Sequence, residues 1–297
     1  MHDPSFPEVG SIVHFEHVNF EVDDHDMATV FFMGGLGFTR DPYKRADETN
    51  MGVNVGMQQF HLPRRGNATS PFPGEIGLVV PDLTGIRNRL ARLQSLGKFD
   101  DTPFQATDDG NTLQIISPFG IELRLHAFGT LSFLRPLGIA YLDIPVPPGT
   151  TGGIRAFYRE IMQCPAEIEE LAGDRAVVVP VGPYQHIHFR ECERDTYDTH
   201  DFHAAVYVSG FNALRDLLIS HDSLMGDALE QTFFFDRIFD PGSGETLFRF
   251  QHEVRGLYHP DFMRPLINRW PMAAEPFSDQ AAVMAALQEH PGLATSR

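Results

Sequence analysis

The sequence predicts an α+β fold assembled from four copies of one unit: a strand, a helix and about three further strands, the βαβββ pattern. Three observations carry that expectation. Four segments open with an alternating apolar strand that runs through a turn into a helical pattern. After each helix come short alternating stretches separated by turn residues. Two of those stretches, "MQQFHLPRRG" at 57–66 and "YQHIHFRE" at 184–191, place Gln59 with His61 and His186 with His188 two residues apart. Alternate residues of a strand share one face, so each pair points the same way.

The first unit opens with "HVNFEVDDHDMATVFFMGGLGF", residues 17–38, where alternation gives way at an acidic turn to a helical pattern that stops at the glycines. The second opens with "EIGLVVPDLTGIRNRL", 75–90, with "PDL" as helix start and Ile86, Leu90 and Leu93 at helical spacing. Val22 and Asp24 in the first correspond to Val80 and Asp82 in the second, which puts His17 and Glu75 at the same place. The third begins with "YLDIPV" at 141–146 and "PPGTTGGIRAFYREIMQCP", whose "AFYREIM" echoes "VFFMGGLGF". The fourth begins with "HAAVYV" at 203–208 and "SGFNALRDLL". The units pair as domains at 12–128 and 137–256, with the boundary in "HAFGTLSFLRPLG". A tail, 257–297, is proline-rich and then helical at "SDQAAVMAALQEH"; its "HPDFMRP" either packs on the domains or covers a cup mouth with Tyr258, His259 and Arg264.

Composition narrows the function. A formal charge of −17, from 23 basic against 40 acidic residues, argues against nucleic acid, whose phosphates need clustered Lys and Arg. No run approaches eighteen apolar residues and the N-terminus has neither a basic start nor an apolar core, so the sequence predicts a cytoplasmic protein with no membrane partner. The two cysteines, Cys164 and Cys192, are too few for a disulfide framework. "GTTGG" lacks the GK[ST] of a phosphate loop, and neither GxSxG nor HExxH occurs. His14, His25, His200 and His221 sit in turns or at strand starts and read as surface residues.

In its repeat, and in "HVNFEV", the helix ending "GGLGF", "EIGLVVPDL", "AFYREIM", "SPFGIEL" and "DPGSGETLF", the chain resembles the vicinal oxygen chelate superfamily, which holds glyoxalase I, extradiol dioxygenases and bleomycin-resistance proteins. The resemblance spans residues 12–256 and implies two tandem glyoxalase-like domains, each made of two units forming a half-open barrel. It further implies a divalent metal in the cup, held by side chains from the first and last strands of the units.

Carried onto this sequence, the resemblance nominates His17, Glu75, Glu122 and either Gln59 or His61 as metal ligands in the first domain, with Glu75 or Glu122 as catalytic base. Such a mixed set suits Fe(II), Mn(II), Ni(II), Co(II) or Zn(II). The turn at Pro118 is shorter than the family's, so either Glu122 or Arg124 fills the inward place. The second domain offers Tyr141, His186, His188 and His203, and its last strand presents Leu247, Arg249 and Gln251 without a carboxylate in register. Arg124, Tyr141, His186, His188, His203 and Arg249 are therefore expected to bind substrate. The function implied is a metal-dependent dioxygenase, lyase or isomerase acting on a small oxygenated, aromatic or apolar molecule, as a monomer or a homo-oligomer. The competing reading is a metal-free protein that sequesters a small molecule.

Overall fold

The computed structural model describes residues 10–41, 49–64, 72–194, 197–199, 202–229 and 231–266. The first unit comprises β1 (Ile12–Asn19), α1 (His25–Ala28), which continues as a π-helical turn over Thr29–Gly35, and β2 (Thr39–Arg40), β3 (Asn50–Val55) and β4 (Gln58–Pro63). The second comprises β5 (Glu75–Val80), α2 (Leu83–Ser95), β6 (Gln105–Asp108), β7 (Thr112–Ile116) and β8 (Glu122–Ala127). The third comprises β9 (Gly138–Val146), α3 (Thr151–Ala156), again running into a π-helical turn at Phe157–Ile161, and β10 (Glu167–Leu171), β11 (Asp174–Gly182) and β12 (Gln185–Glu191). The fourth comprises β13 (His203–Val208), α4 (Phe211–Ser220), β14 (Met225–Leu229), β15 (Thr232–Phe239) and β16 (Thr246–Gly256).

The two aspartates that the repeat aligns are both helix caps. Asp24 accepts from the backbone N–H groups of Asp26 and Met27 at 2.8 and 3.0 Å, and Asp82 from that of Gly85 at 2.7 Å. Each satisfies donors that the first helical turn leaves orphaned. From α2, Leu83, Ile86 and Leu90 are then buried.

Four βαβββ units make two eight-stranded sheets, the expected pair of half-open barrels, but adjacent units do not share one. The first sheet runs β14-β15-β16-β13-β1-β4-β3-β2 and joins the first unit to the fourth. The second runs β10-β11-β12-β9-β5-β8-β7-β6 and joins the second to the third. The seams are antiparallel, β1 with β13 and β5 with β9. All four first strands carry the same alternation, so periodicity makes them interchangeable partners and leaves the pairing to the connections between units. Residues 12–128 and 137–256 are thus sequence repeats whose strands are shared between both sheets.

One face of each sheet is apolar. On the first sheet Phe15, Val18, Phe60, Val206, Phe235 and Val254 are buried, and one continuous core joins them to Phe31, Ile86, Ile154 and Leu214 on the helical segments. The opposite face is polar. It carries Asn54, Gln59, His61, His17, Asn19, His203 and Glu253, all in register across five strands. Residues 257–266 continue from β16 across that face; residues 267–297, and with them the expected tail helix and most of the tail's packing, lie outside the described residues.

Candidate metal centre

β1 and β13 pair with a register shift between Phe15 and His17, so Glu16 and His17 together face Ala205. This bulge turns two consecutive side chains toward the polar face, where simple alternation would send one of them into the core. β16 lies parallel to β13 with Glu253 opposite Ala205, and β4 lies parallel to β1 with Gln59 opposite His17. Four strands therefore deliver side chains to one place.

Three donor atoms meet there. His17 Nε2 lies 3.3 Å from His203 Nε2 and 3.4 Å from Glu253 Oε2, and His203 Nε2 lies 3.2 Å from the same oxygen. Three ligands bonded at about 2.1 Å to one cation, in tetrahedral or octahedral directions, sit about 3.0–3.4 Å apart, so the triangle has the right size. Its chemistry also fits. Two imidazoles and one carboxylate leave one side of a cation open for other ligands.

The surroundings fix each donor. His17 is fully buried, and its Nδ1 bonds the carboxylate of Glu16, which turns Nε2 to the triangle. An imidazole held from behind by a carboxylate is the usual support of a metal-binding histidine. Arg255 donates from Nε to Glu253 Oε1 at 2.5 Å and from a terminal nitrogen to Glu16 Oε2 at 3.0 Å and Tyr207 at 3.3 Å. Burial works against charge on His17, but Glu16 and Glu253 outweigh it and raise its pKa. Burial likewise opposes charge on Glu253, yet His17, His203 and Arg255 hold its carboxyl far below the usual range. On His203 burial prevails over Glu253, and its pKa is lowered. The triangle is a place that stabilises one added positive charge, a proton or a cation.

His61 completes the cluster. Its ring stacks on that of His17 with centroids 3.7 Å apart, and its Nε2 lies 3.1 Å from Gln59 Oε1. Gln59 spends both amide hydrogens on Asp41 at 2.8 Å and Asn54 at 2.6 Å, so its carbonyl oxygen accepts and His61 Nε2 donates. Among the described residues, the groups able to hold an ion are Glu16 with His17 and His61, and His17 with His203 and Glu253. Glu16 is engaged behind His17, which favours the second set. A cavity of about 500 Å³ runs along the start of β16, lined by Gln251, Arg249, Asp236, Met225, Tyr197 and Thr199, with Gln251 on the face of Glu253.

The structure brings together only part of the residue set nominated from sequence. His17, Gln59, His61 and His203 meet; Glu75 and Glu122 do not join them, because their strands belong to the other sheet. Glu122 is exposed at the start of β8. Glu75 is bonded by Arg124 Nε at 2.9 and 2.8 Å and by the Tyr141 hydroxyl at 2.9 Å. By register the second cup's Tyr141, Glu75 and Arg124 occupy the places of His17, His203 and Glu253. A guanidinium thus stands where the first cup has its carboxylate, and the second cup is self-neutralised. His188 stacks on Tyr141 there, and His186 on His188, with centroids 5.2 and 6.1 Å apart. Arg249 forms an exposed ion pair with Asp236 at the cavity. Of the histidines read as surface, His14 stacks on Tyr207 beside the centre, His25 bonds the Leu62 carbonyl, His221 packs on Phe239, and His200 lies outside the described residues.

Three residues escaped the sequence reading. Glu253 continues the alternation Leu247, Arg249, Gln251 by one more step, so extending that strand would have found it. Arg255 lies one step further. Glu16 depends on the bulge, which alternation does not reveal.

No family model matches the sequence and no curated protein matches it. Solved structures do. A Bacillus subtilis protein provisionally called a dioxygenase aligns over 94% of this chain and 96% of its own, at 12% identity and a TM-score of 0.53. A single-substitution variant of glyoxalase I from Zea mays aligns over 87% and 98%, at 10% identity and a TM-score of 0.59. Zea mays glyoxalase I itself covers 82% and 92%, at 10% identity and 0.57. At such identities the likeness speaks for the fold. The chain shares the fold of these proteins, built here as two barrels from four βαβββ units. Among the described residues no helix is long and apolar enough to cross a membrane.

Proposed function

We propose that the chain is a metal-dependent enzyme of the vicinal oxygen chelate type, acting on a small oxygenated organic molecule in the first cup. The observation that carries this reading is the triangle of His17 Nε2, His203 Nε2 and Glu253 Oε2, with sides of 3.2–3.4 Å and a carboxylate behind His17. These three residues would hold a divalent cation. Once bound, it would draw two neighbouring oxygens of a substrate to its open side and stabilise negative charge on them.

Two histidines and one carboxylate form the set associated with non-haem Fe(II) oxygenases, which favours dioxygen chemistry over the lyase and isomerase readings. Glu75 and Glu122, either of which was expected as catalytic base, stand in the other cup. The chain's own proton carrier is His61, oriented by Gln59 and stacked beside His17. The cavity at Gln251 and Arg249 is of a size for a small organic ligand. The named activities of the structural neighbours, glyoxalase and dioxygenase, are in keeping with this chemistry.

The test is metal uptake. Protein purified without chelator is analysed for bound metal, then titrated with Fe(II), Mn(II), Co(II), Ni(II) and Zn(II) while thermal unfolding is followed. Uptake of one ion per chain with stabilisation, abolished by His17→Ala and Glu253→Ala, is the expected outcome. Absence of any uptake would leave the sequestering reading in its place.

A further inference from the structure

We propose that Arg255 is the positioning residue of the candidate metal centre: it clamps Glu253 and Glu16 each by one oxygen, so that Glu253 offers a single oxygen and His17 a single nitrogen to the cation. This inference rests on the metal-dependent reading above and specifies how the chain sets up its ligands.

The geometry is a closed frame. Arg255 Nε holds Glu253 Oε1 at 2.5 Å, which leaves Oε2 as the oxygen facing His17 and His203. A terminal nitrogen of the same guanidinium reaches Glu16 Oε2, the oxygen that also bonds His17 Nδ1. One planar group therefore sets the free oxygen of the carboxylate donor and, through Glu16, the ring orientation of an imidazole donor. Arg255 is itself held. The Tyr207 hydroxyl accepts from it at 3.3 Å, the Tyr207 ring lies 5.9 Å from the guanidinium carbon, and Asp261 approaches to 3.8 Å. Arg255, Glu16 and Glu253 are all buried, so water does not replace these bonds. A planar fork with fixed donor directions suits this task in a way an ammonium does not.

Two physical effects of Arg255 on a cation have opposite signs, and this makes the role testable. As a charge, Arg255 repels a cation, so removing it strengthens binding. As a clamp, it pre-orders the donors, so removing it weakens binding. Arg255→Lys keeps the charge and loses the fork, and Arg255→Met loses both. Co(II) serves as the probe, because its visible absorption reports both affinity and coordination.

The clamp predicts that Arg255→Lys binds Co(II) about 10–100-fold more weakly than the wild type, with an altered Co(II) spectrum. In Arg255→Met, where lost charge and lost clamp oppose each other in affinity, it predicts an altered Co(II) spectrum, and with Arg255 intact but its acceptor removed it predicts weaker binding and an altered spectrum for Glu16→Ala. Thermal unfolding of the metal-free variants is run alongside, and Glu16→Ala carries the test if the Arg255 variants do not fold. A wild-type Co(II) spectrum in Arg255→Lys or Arg255→Met, or wild-type affinity in Arg255→Lys, overturns the clamp while leaving the metal centre standing. A wild-type protein that takes up no Co(II) overturns the underlying reading instead.

Discussion

Gly77 lies under the ring of Tyr141, whose atoms come within 2.1–2.4 Å of where a Cβ would stand, so the second cup's floor is shaped to lay this ring flat against the strand. The same ring stacks with His188, whose pKa burial pushes down to about 4, with His186 and Arg190 adding to the effect. A consequence for stability follows from the sign of that shift. In the unfolded chain His188 protonates near its ordinary value of 6.5, while in the folded chain it stays neutral until about 4. Between those values the unfolded state binds the extra proton, so its contribution is complete above pH 6.5 and lost as pH falls through 4. The loss amounts to at most about 3 kcal/mol. Urea unfolding of His188→Phe across pH 4–7 is expected to show a shallower acid slope than the wild type. An unchanged slope would place the acid sensitivity elsewhere.

At the scale of elements, the segment 257–266 is tied to three sides of the first cup. His259 Nδ1 lies 3.4 Å from the Tyr207 hydroxyl and the Phe262 ring 4.9 Å from that of Tyr207, a β13 residue. Asp261 approaches Arg255 on β16, and Arg264 bonds Asp41, just beyond β2, at 3.0 Å. From "HPDFMRP", His259 and Arg264 contact residues of the first cup, whereas Tyr258 is 90% exposed. Asp41 has a fully buried side chain and holds Gln59, which orients His61. Arg264→Ala removes a cation from beside this buried carboxylate, while Gln59 still donates to it. The expected cost is about 2 kcal/mol in urea unfolding, below the range for a wholly buried pair, because Arg264 is partly exposed. A variant as stable as the wild type would mean that the segment does not hold the cup.

The elements also show where sequence carries information. Strand alternation places His17, Gln59, His61, His203 and Glu253 on one face, and the aligned Asp24 and Asp82 mark two helix starts; both follow from local periodicity and capping chemistry. The bulge that brings in Glu16 is a one-residue departure from that periodicity. Its cause is the fit of β1 against β13, a strand about two thirds of the chain away. Likewise, four similar units do not say which two share a sheet. That choice takes Glu75 and Glu122 out of the expected ligand set, and brings in Glu253 from a strand whose alternation, followed only to Gln251, shows no carboxylate.

For the whole molecule, the pairing of the first unit with the fourth makes the candidate centre a product of both halves of the chain. His17 and His61 come from residues before the connection 128–137, and His203, Glu253 and Arg255 from residues after it. In a fragment 1–132, β1 keeps β4 beside it but loses β13, and its other edge exposes unpaired backbone donors and acceptors. Pairing with another copy is the expected way for the fragment to relieve that edge. Such an assembly would set His17 against a first strand bearing Glu75, without Glu253 or its clamp. Fragment 1–132 alone is therefore expected to self-associate and to bind Co(II) at least about tenfold more weakly than the intact chain. Mixing it with fragment 133–297 during refolding is expected to restore a 1:1 complex with the intact chain's Co(II) spectrum. A fragment 1–132 that stays monomeric and binds Co(II) like the whole chain would show that the first half forms a cup by itself, and would undo the pairing on which the candidate centre depends.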